Sequence, residues 1–455
     1  MVDYDIVIVG TGASSSSFIN EYSKLHPSHK IAVIENGSST QMHVPEFEFN
    51  NIKHEQKWLR AGKGGTTQAW HGHLVELSEL DFNLGTFKND SRVSGAILDN
   101  WCVSYKIFNR YYPKAYEFLK TPAISATKFE SQIAEKLRKH NINTEHIATS
   151  EVDGKPANLY GLVSTKNQVT EYFDTQVAKV QHKNGKVTGV YCIDNKTGVE
   201  FSLSSKIVVL GCSTLESIRL FLLSGLGKNG LVGRKITFLT DMYVRAIVDI
   251  DRTPQKRNIF TLAYMDEYES STATTIKSGK YSFSDRLFFK GEEQRKEEII
   301  KSNFSLDRLN QEKKKYVVQI NFKGEAMPLM ENRVTLSRFV NNSGVPIPAI
   351  HYKQHVHDIE LRKRAFKKML FFLEKLGYDK NTLEHRVDIR NYLSTHVHGG
   401  LQFGLDYSTG VLDPNCMSYD CEGLFVIDAS FMPTSGGANV TLSLAANAIR
   451  VASKI

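Results

Sequence analysis

The segment YDIVIVGTGASS, residues 4–15, decides the fold. Its apolar part, Ile6–Val9, has the composition of a β-strand buried on both faces of a parallel sheet. Two glycines follow at once, and a helical pattern then continues to about Leu25. Gly10 permits a tight turn, and Gly12 lets backbone amides approach a pyrophosphate at the positive end of the helix. The segment therefore predicts the first strand, turn and helix of a dinucleotide-binding β-α-β unit.

A second apolar strand, Lys30–Ile34, completes this unit and is followed by Glu35. A carboxylate at this point can accept hydrogen bonds from both ribose hydroxyls of an adenosine, and it repels a 2′-phosphate. The third glycine position of the motif holds Ser15, which is small enough for close packing of the helix on the strand. The alternatives are an ordinary tight turn and a glutamate that is merely exposed at a strand end. The strand, the helix and Glu35 together favour dinucleotide binding.

Two later segments repeat the strand, turn and helix pattern. Ile207–Leu210 leads into a capping box, Ser213–Glu216, that opens an apolar helix. Leu424–Ile427 ends at Asp428 and leads into another glycine-rich turn and helix. Because these pieces are spread over the whole chain, we predict one discontinuous nucleotide-binding domain. Its predicted segments are residues 1–75, 165–240 and 390–455.

The intervening segments, residues 76–164 and 241–389, predict a second domain that binds the substrate. The first has helical periodicity, and the second contains alternating apolar and polar residues, which is typical of antiparallel strands. Residues 358–377 have the pattern of an amphipathic helix, and the charge-rich stretch 291–315 is expected to be solvated. The predicted fold class is α/β, with a parallel sheet in a Rossmann-like domain. The second domain is α+β, with an antiparallel sheet and helices.

Composition and charge narrow the class of protein. The chain has 455 residues, of which 41% are hydrophobic and 23% are charged, and this excludes collagen, coiled-coil and disordered classes. The net charge of +8 is diffuse, so we expect no nucleic-acid binding. Five scattered cysteines are typical of reduced thiols, and no signal-peptide or membrane-spanning pattern is found. We therefore expect a cytoplasmic protein without a transmembrane segment.

Further motifs occur in the order found in one known family. The glycine cluster GKGGTTQAW spans residues 62–70, and the segment VIDASFMPT, residues 426–434, precedes Asn439 and a helix. With the amino-terminal glycine motif and the stretch DNWCVSY at residues 99–105, they resemble the glucose-methanol-choline (GMC) family of FAD-dependent alcohol oxidoreductases. The resemblance extends from residue 4 to about 452 and is weakest at 241–320.

The resemblance implies FAD as the cofactor. In some relatives a histidine just before the position of Trp70 attaches FAD covalently, and because this position is Ala69 here, we predict non-covalent binding. Val177 resembles a backbone contact to adenine, although a core valine explains it nearly as well. A helix beginning near Val440 is expected to point its positive end at the flavin. The expected cofactor-binding residues are Gly10, Gly12, Ala13, Ser14, Glu35, Gly64, Gly65, Thr66, Thr67, Val177, Asp428, Ala429, Asn439, Val440 and Thr441.

The same resemblance places the active site at STHVHGG, residues 394–400, and at Asn439. His396 matches the catalytic base, whose neutral imidazole takes the hydroxyl proton while hydride passes to flavin N5. Asn439 matches a partner whose amide donates a hydrogen bond to the substrate oxygen. Two alternatives stay open. His398 lies two residues away on the same strand face and can exchange roles with His396, and Asn439 can serve as a helix N-cap.

The predicted function is FAD-dependent oxidation of a primary or secondary alcohol, such as a sugar, polyol or aminocyclitol, to an aldehyde or ketone. The electron acceptor is left open between oxygen, a quinone and a carrier protein. The alternatives are a flavin scaffold without net redox turnover, as in a lyase, and a non-catalytic flavin-binding partner. His-x-His recurs at 71/73, 355/357 and 396/398, but no pair belongs to a recognised ligand pattern. We therefore expect no metal site.

Overall fold

A computed structural model describes residues 2–55, 59–121, 126–164, 168–251, 262–265, 279–285, 315–386 and 396–455. The charge-rich stretch predicted to be solvated, residues 291–315, lies outside the described residues except for its last position. The first two residues of STHVHGG lie outside them as well, whereas the two histidines of this motif are described.

The described chain contains both strands and helices. The strands are β1 (Val2–Asp3), β2 (Ile6–Val9), β3 (Ile31–Ile34), β4 (Glu46–Phe49), β5 (Ile52–Glu55), β6 (His73–Leu74), β7 (Glu145–His146), β8 (Ala148–Thr149), β9 (Glu151–Val152), β10 (Lys155–Pro156), β11 (Val169–Tyr172), β12 (Thr175–Lys183), β13 (Lys186–Asp194), β14 (Glu200–Ser204), β15 (Val208–Leu210), β16 (Thr237–Phe238), β17 (Thr240–Asp251), β18 (Leu262–Met265), β19 (Gly279–Asp285), β20 (Lys315–Gly324), β21 (Arg333–Val340), β22 (Pro346–His351), β23 (Glu384–Arg386), β24 (Val397–His398) and β25 (Leu424–Val426). The α-helices are α1 (Ala13–Leu25), α2 (Glu79–Phe82), α3 (Tyr105–Phe108), α4 (Tyr112–Leu119), α5 (Lys128–Arg138), α6 (Thr214–Leu223), α7 (Val356–Leu376) and α8 (Thr441–Ala452). Short 3-10 turns include Gly65–Gln68, Leu159–Leu162 and Ala429–Phe431.

A parallel sheet carries the opening motif. Its five strands lie in the order β11-β3-β2-β15-β25, and every pairing is parallel. All residues of β2, β3, β15 and β25 are buried, as their apolar composition requires. Strands from the beginning, middle and end of the chain therefore meet in one sheet. The predicted α/β class is confirmed, while the domain boundaries stay a prediction.

A six-stranded antiparallel sheet, in the order β23-β17-β20-β19-β18-β7, forms the second major layer. Alternate residues of β17 and β20 are apolar and pack against α5 and α7 in one hydrophobic core. The predicted amphipathic helix at 358–377 is α7, and its apolar side enters this core. The predicted combination of an antiparallel sheet with helices is thus confirmed. Its apolar core residues include Met242, Val244, Val318, Ile320, Phe322, Met369 and Phe372.

Helix α6 begins differently from the sequence-based expectation. Ser213 is its N-cap residue, but the side chain makes no capping hydrogen bond, so the predicted capping box is wrong. The backbone of Ser213 has φ 89° and ψ 147°, outside the conformation that a capping serine usually adopts. Its amide donates to the Asp428 carboxylate instead, and Glu216 pairs with Arg219 at 2.7 Å.

The structure also bears on the cysteines and on membrane-spanning helices. All five cysteines are free. Among the described residues, no helix combines the length and the apolar character needed to cross a bilayer.

Helix α1 approaches the end of β15 through small residues. Ser15 is fully buried, and its hydroxyl donates to the Gly211 carbonyl oxygen at 3.3 Å. A Cβ atom added at Gly211 would lie only 2.2 Å from the Ser15 Oγ. The small side chain at the third glycine position of the motif is therefore matched by a glycine on the neighbouring strand.

We expect Gly211→Ala to lower the free energy of unfolding by about 1–3 kcal/mol, because the added methyl overpacks this contact. Ser15→Gly in the same chain removes the Ser15 hydroxyl that the new methyl would contact. The double variant is therefore expected to be more stable than the sum of the two single changes predicts. Urea denaturation of the ligand-free protein measures all three variants. Gly161→Ala is the control, since its added Cβ meets nothing within 4 Å. Additive effects would contradict this account of the packing.

Candidate cofactor and active site

The two glycine loops predicted to hold a cofactor lie against each other. A Cβ atom added at Gly65 would lie 3.2 Å from the Cα of Gly12, so the backbones meet directly. The Thr67 hydroxyl donates to the Gly64 carbonyl at 2.6 Å and accepts from the Leu159 amide at 3.2 Å, which fixes the second loop. The first loop ends at the start of α1, where free backbone amides favour an anionic group. This surface suits a pyrophosphate.

Thr11, between the glycines of the first motif, joins the two loops. Its hydroxyl lies 2.7 Å from Glu35 Oε2 and 3.1 Å from the Gly62 carbonyl oxygen, and it accepts from the Gly64 amide at 2.9 Å. Sequence reasoning missed this residue, although a buried hydroxyl within a glycine turn is a recognisable signal. Thr11 is therefore the polar centre of the loop contact.

Glu35 follows β3 as predicted, and its carboxylate is enclosed by protein donors. Oε1 accepts from the amides of Gly37 at 3.0 Å and Gly62 at 2.9 Å, and Oε2 accepts from the amide and hydroxyl of Thr11. Burial raises the pKa of Glu35, while these hydrogen bonds oppose that shift. A carboxylate has about four acceptor sites, and all are in use. Ribose hydroxyls must share or displace these donors, so the predicted ribose contact stays a prediction.

Asp428 organises the carboxyl-terminal motif in a similar way. One carboxylate oxygen accepts from the Ser430 amide at 3.1 Å and the Ser430 hydroxyl at 2.6 Å, and the other accepts from the Ser217 hydroxyl on α6 at 2.5 Å. Burial raises the pKa of Asp428. The Ala429 carbonyl then accepts from the Gly399 amide at 3.0 Å. Asp428 thus fixes the turn against which the histidine segment is anchored.

His396 lies just before β24 and is half-buried. The ammonium nitrogen of Lys323, on β20, is 3.4 Å from its Nε2 atom. Burial first, and then the positive charge of Lys323, holds the pKa of His396 well below its usual value. The imidazole is therefore neutral at neutral pH, which is the form that a proton acceptor requires. Sequence reasoning missed Lys323, because no motif includes it.

His398, the alternative to His396, is fully buried on β24. Neither ring nitrogen has a hydrogen-bond partner among the described residues, and burial lowers its pKa to about 3. It carries no charge at neutral pH. Because His396 is partly exposed and His398 is enclosed, the geometry favours His396 as the group that reaches a substrate.

Asn439 is half-buried and lies two residues before the start of α8. The alternative that it caps this helix is wrong, because Val440 is the N-cap residue. Its Oδ1 atom is buried and has no partner in the described part of the chain. The loop before it is fixed by Glu325, which accepts from the Ser435 hydroxyl and, at 2.6 Å, from the Ser435 amide. An amide held in this way is available to a bound group.

The remaining predicted residues have different surroundings. Val177 is buried in the main hydrophobic core, so its side chain has the structural role, and the backbone contact to adenine stays a prediction.

Ala69 is exposed, and so is His71, whose ring stacks on His73 with the ring centroids 6.0 Å apart. Within the described residues, no group of three or more potential ligands is arranged for a metal ion. Ala13, Ser14, Thr66 and Thr441 lie at the starts of their helices or turns, as expected.

We expect Thr11→Val to lower the free energy of unfolding by about 1.5–3 kcal/mol, because the buried Glu35 carboxylate loses a donor. The change also loosens the two loops, so the affinity for FAD is expected to fall roughly tenfold or more. Thr11→Ser keeps the hydroxyl and is the matched control. Urea denaturation of the ligand-free protein and FAD fluorescence titration measure the two effects. Wild-type values for Thr11→Val in both assays would contradict the role of this hydroxyl.

Two family models described as GMC oxidoreductase match the chain, one at residues 160–239 and the other at residues 328–448. Among curated relatives, 6'''-hydroxyparomomycin C oxidase of Streptomyces lividus is 24% identical over 60% of this chain and 49% of its own length. Paromamine 6'-oxidase of Streptomyces fradiae is 26% identical over 60% of this chain and 50% of its own length. The chain thus spans about half the length of these two relatives. 2-methyl-1,2-propanediol dehydrogenase of Mycolicibacterium austroafricanum is 22% identical over 86% of this chain and 80% of its own length.

Solved structures share the whole fold. A pyridoxine 4-oxidase from Mesorbium loti superposes with a TM-score of 0.68 at 15% identity, covering 99% of this chain and 98% of the other. A formate oxidase from Aspergillus oryzae RIB40, described for its FAD modification, superposes with a TM-score of 0.67 at 13% identity and the same coverage. With both family models matched in chain order, this protein belongs to the GMC oxidoreductase family of FAD-binding flavoproteins.

Proposed function

We propose that this chain oxidises a primary or secondary alcohol to an aldehyde or ketone with FAD as its cofactor. The observation that carries the proposal is the half-buried, neutral imidazole of His396 in a chain whose family binds FAD. Relatives named as oxidases and as a propanediol dehydrogenase support this reaction class. In more detail, we propose a substrate from the sugars, polyols or aminocyclitols.

The chain offers a fitting place for FAD. The amides at the start of α1, which follows Gly12, suit a pyrophosphate, and the loop around Gly65 packs directly against Gly12. The buried Oδ1 of Asn439 is left open to a bound group. Further contacts are proposed for the residues that follow β25, Asp428 and Ala429, and for the start of α8. When bound, FAD supplies the hydride acceptor.

Three features of the chain prepare the alcohol for oxidation. His396 takes the hydroxyl proton, because its imidazole is uncharged before the reaction. Asn439 hydrogen-bonds to the substrate oxygen and orients it. The amino terminus of α8 adds the positive end of a helix dipole, which favours negative charge in front of it. In this proposal the protein supplies the base, the orientation and the electrostatic field.

We expect His396→Ala to retain FAD and to slow flavin reduction by an alcohol by roughly 10²-fold to 10⁴-fold, because the proton acceptor is lost. His398→Leu removes the neighbouring buried imidazole and is expected to stay within about tenfold of the wild type. Anaerobic stopped-flow absorbance measures both rates. The opposite ranking would transfer the role of base to His398.

The same anaerobic experiment tests the reaction class. An alcohol substrate is expected to bleach the flavin absorbance. If no alcohol bleaches it while FAD stays bound, the protein is a lyase-like or non-catalytic flavin scaffold instead. Admitting oxygen, a quinone or a carrier protein to the reduced enzyme then identifies the electron acceptor.

We also propose that FAD is bound without a covalent link, since an exposed alanine, Ala69, stands at the position where some relatives carry the attaching histidine. Precipitation with trichloroacetic acid is expected to release all flavin absorbance into the supernatant. Yellow colour that stays with the washed polypeptide would overturn this proposal, whatever the activity of the enzyme.

A further inference from the structure

The antiparallel sheet has one apolar face and one polar face. Met242 and Val244 on β17, like Ile320 and Phe322 on β20, enter the core beneath the sheet. Because side chains alternate along a strand, the residues between them lie on the opposite face. Lys323 is one of these residues, and its contact with His396 shows that the polar face is turned toward the proposed base. The described polar members of this face are Asp241, Tyr243, Arg245, Lys280, Ser282, Gln319, Asn321 and Lys323.

Hydrogen bonds connect the polar side chains of this face into a row. Arg245 is buried and donates to Gln319 Oε1 at 3.0 Å. Gln319 donates to Asn321 Oδ1 at 2.5 Å, and Asn321 lies 3.5 Å from the hydroxyl of Ser282. The row runs across three strands and ends beside Lys323, the next residue of the same face. Such a chain of polar groups holds its members in fixed positions.

Among the described side chains of this face, cationic groups outnumber acidic groups. Among its described side chains, Arg245, Lys280 and Lys323 are cationic, and Asp241 is acidic. Lys323 lies opposite both Asp241 and Lys280 in the strand register. The next carboxylate along the chain, that of Glu325 just after β20, is directed to Ser435 of the neighbouring loop. Among these charged groups, Lys323 is the cation that contacts His396, at 3.4 Å.

This charge has a consequence for the proposed reaction. When His396 takes the hydroxyl proton, an imidazolium forms 3.4 Å from the ammonium of Lys323. Two like charges at that distance repel each other strongly in a partly desolvated site. A negative group on the substrate, placed next to Lys323, offsets this repulsion and also anchors the substrate.

We propose that the substrate is an alcohol that also carries a carboxylate, and that Lys323 binds this carboxylate. The inference rests on the proposed function and deepens it. It selects hydroxy acids and acidic sugars over aminocyclitols, because the ammonium groups of an aminocyclitol would face Lys323. Lys323 touches the substrate in this arrangement and positions the hydroxyl toward His396.

Three substrates of equal length test the proposal, namely 3-hydroxypropanoate, 1,3-propanediol and 3-amino-1-propanol. Anaerobic flavin reduction is expected to be most efficient with the hydroxy acid and least efficient with the amino alcohol. Lys323→Met is expected to lower the preference for the acid over the diol by roughly 10-fold to 100-fold, the effect of losing a hydrogen bond to a charged group. Lys323→Arg keeps the charge and is expected to restore most of the preference. Lys179→Met, an exposed lysine on β12, is the matched control.

A binding measurement separates this inference from the proposed function. Propanoate carries no hydroxyl, and its titration is expected to perturb the absorbance of the bound oxidised flavin in the wild type but not in Lys323→Met. If propanoate binds while no alcohol reduces the flavin, the proposed function is wrong and the anion site stands. If the diol reduces the flavin as efficiently as the acid, or if Lys323→Met leaves their ratio unchanged, the inference is overturned and the proposed function stands.

Discussion

The buried carboxylate of Glu35 is the constraint on which the cofactor site depends. Removing a charged group from water costs several kcal/mol unless hydrogen bonds replace the lost hydration. Glu35 receives four such bonds from Thr11, Gly37 and Gly62. These donors belong to three separate loops, so the carboxylate is satisfied only when the loops are assembled. The cost of burying one charge therefore enforces the geometry of the whole glycine-lined surface.

Two further buried carboxylates, both in the carboxyl-terminal third of the chain, repeat this arrangement. Asp428 collects donors from Ser217 and Ser430, and Glu325 collects both donors of Ser435. Each carboxylate joins a loop to an element that is distant in sequence. Because His396 and Asn439 both lie on short irregular segments, their positions depend on these links rather than on a long strand or helix. Precision at the site thus comes from local hydrogen bonding supported by rigid layers.

The parts of this structure that sequence could predict are those with local signals. The opening β-α-β unit and the amphipathic helix α7 follow from hydrophobic periodicity within short windows. Ser213 could not be predicted correctly, because its amide is drawn to a carboxylate more than 200 residues away. Lys323 was equally inaccessible, since its approach to His396 depends on the register of an antiparallel sheet. Motif order indicated the family, but only three-dimensional proximity showed which charges surround the base.

Those surrounding charges give His396 opposing requirements. Burial and, after it, the nearby ammonium keep the imidazole neutral, which makes it available as a proton acceptor over a wide pH range. The same ammonium disfavours the imidazolium that forms during the reaction, by at most about 5 kcal/mol for unit charges at this distance and an effective dielectric constant of about 20. An efficient site must offset part of this repulsion while the proton is transferred. Negative charge that develops on the substrate oxygen, or that the substrate carries, does so when it is placed next to both cations.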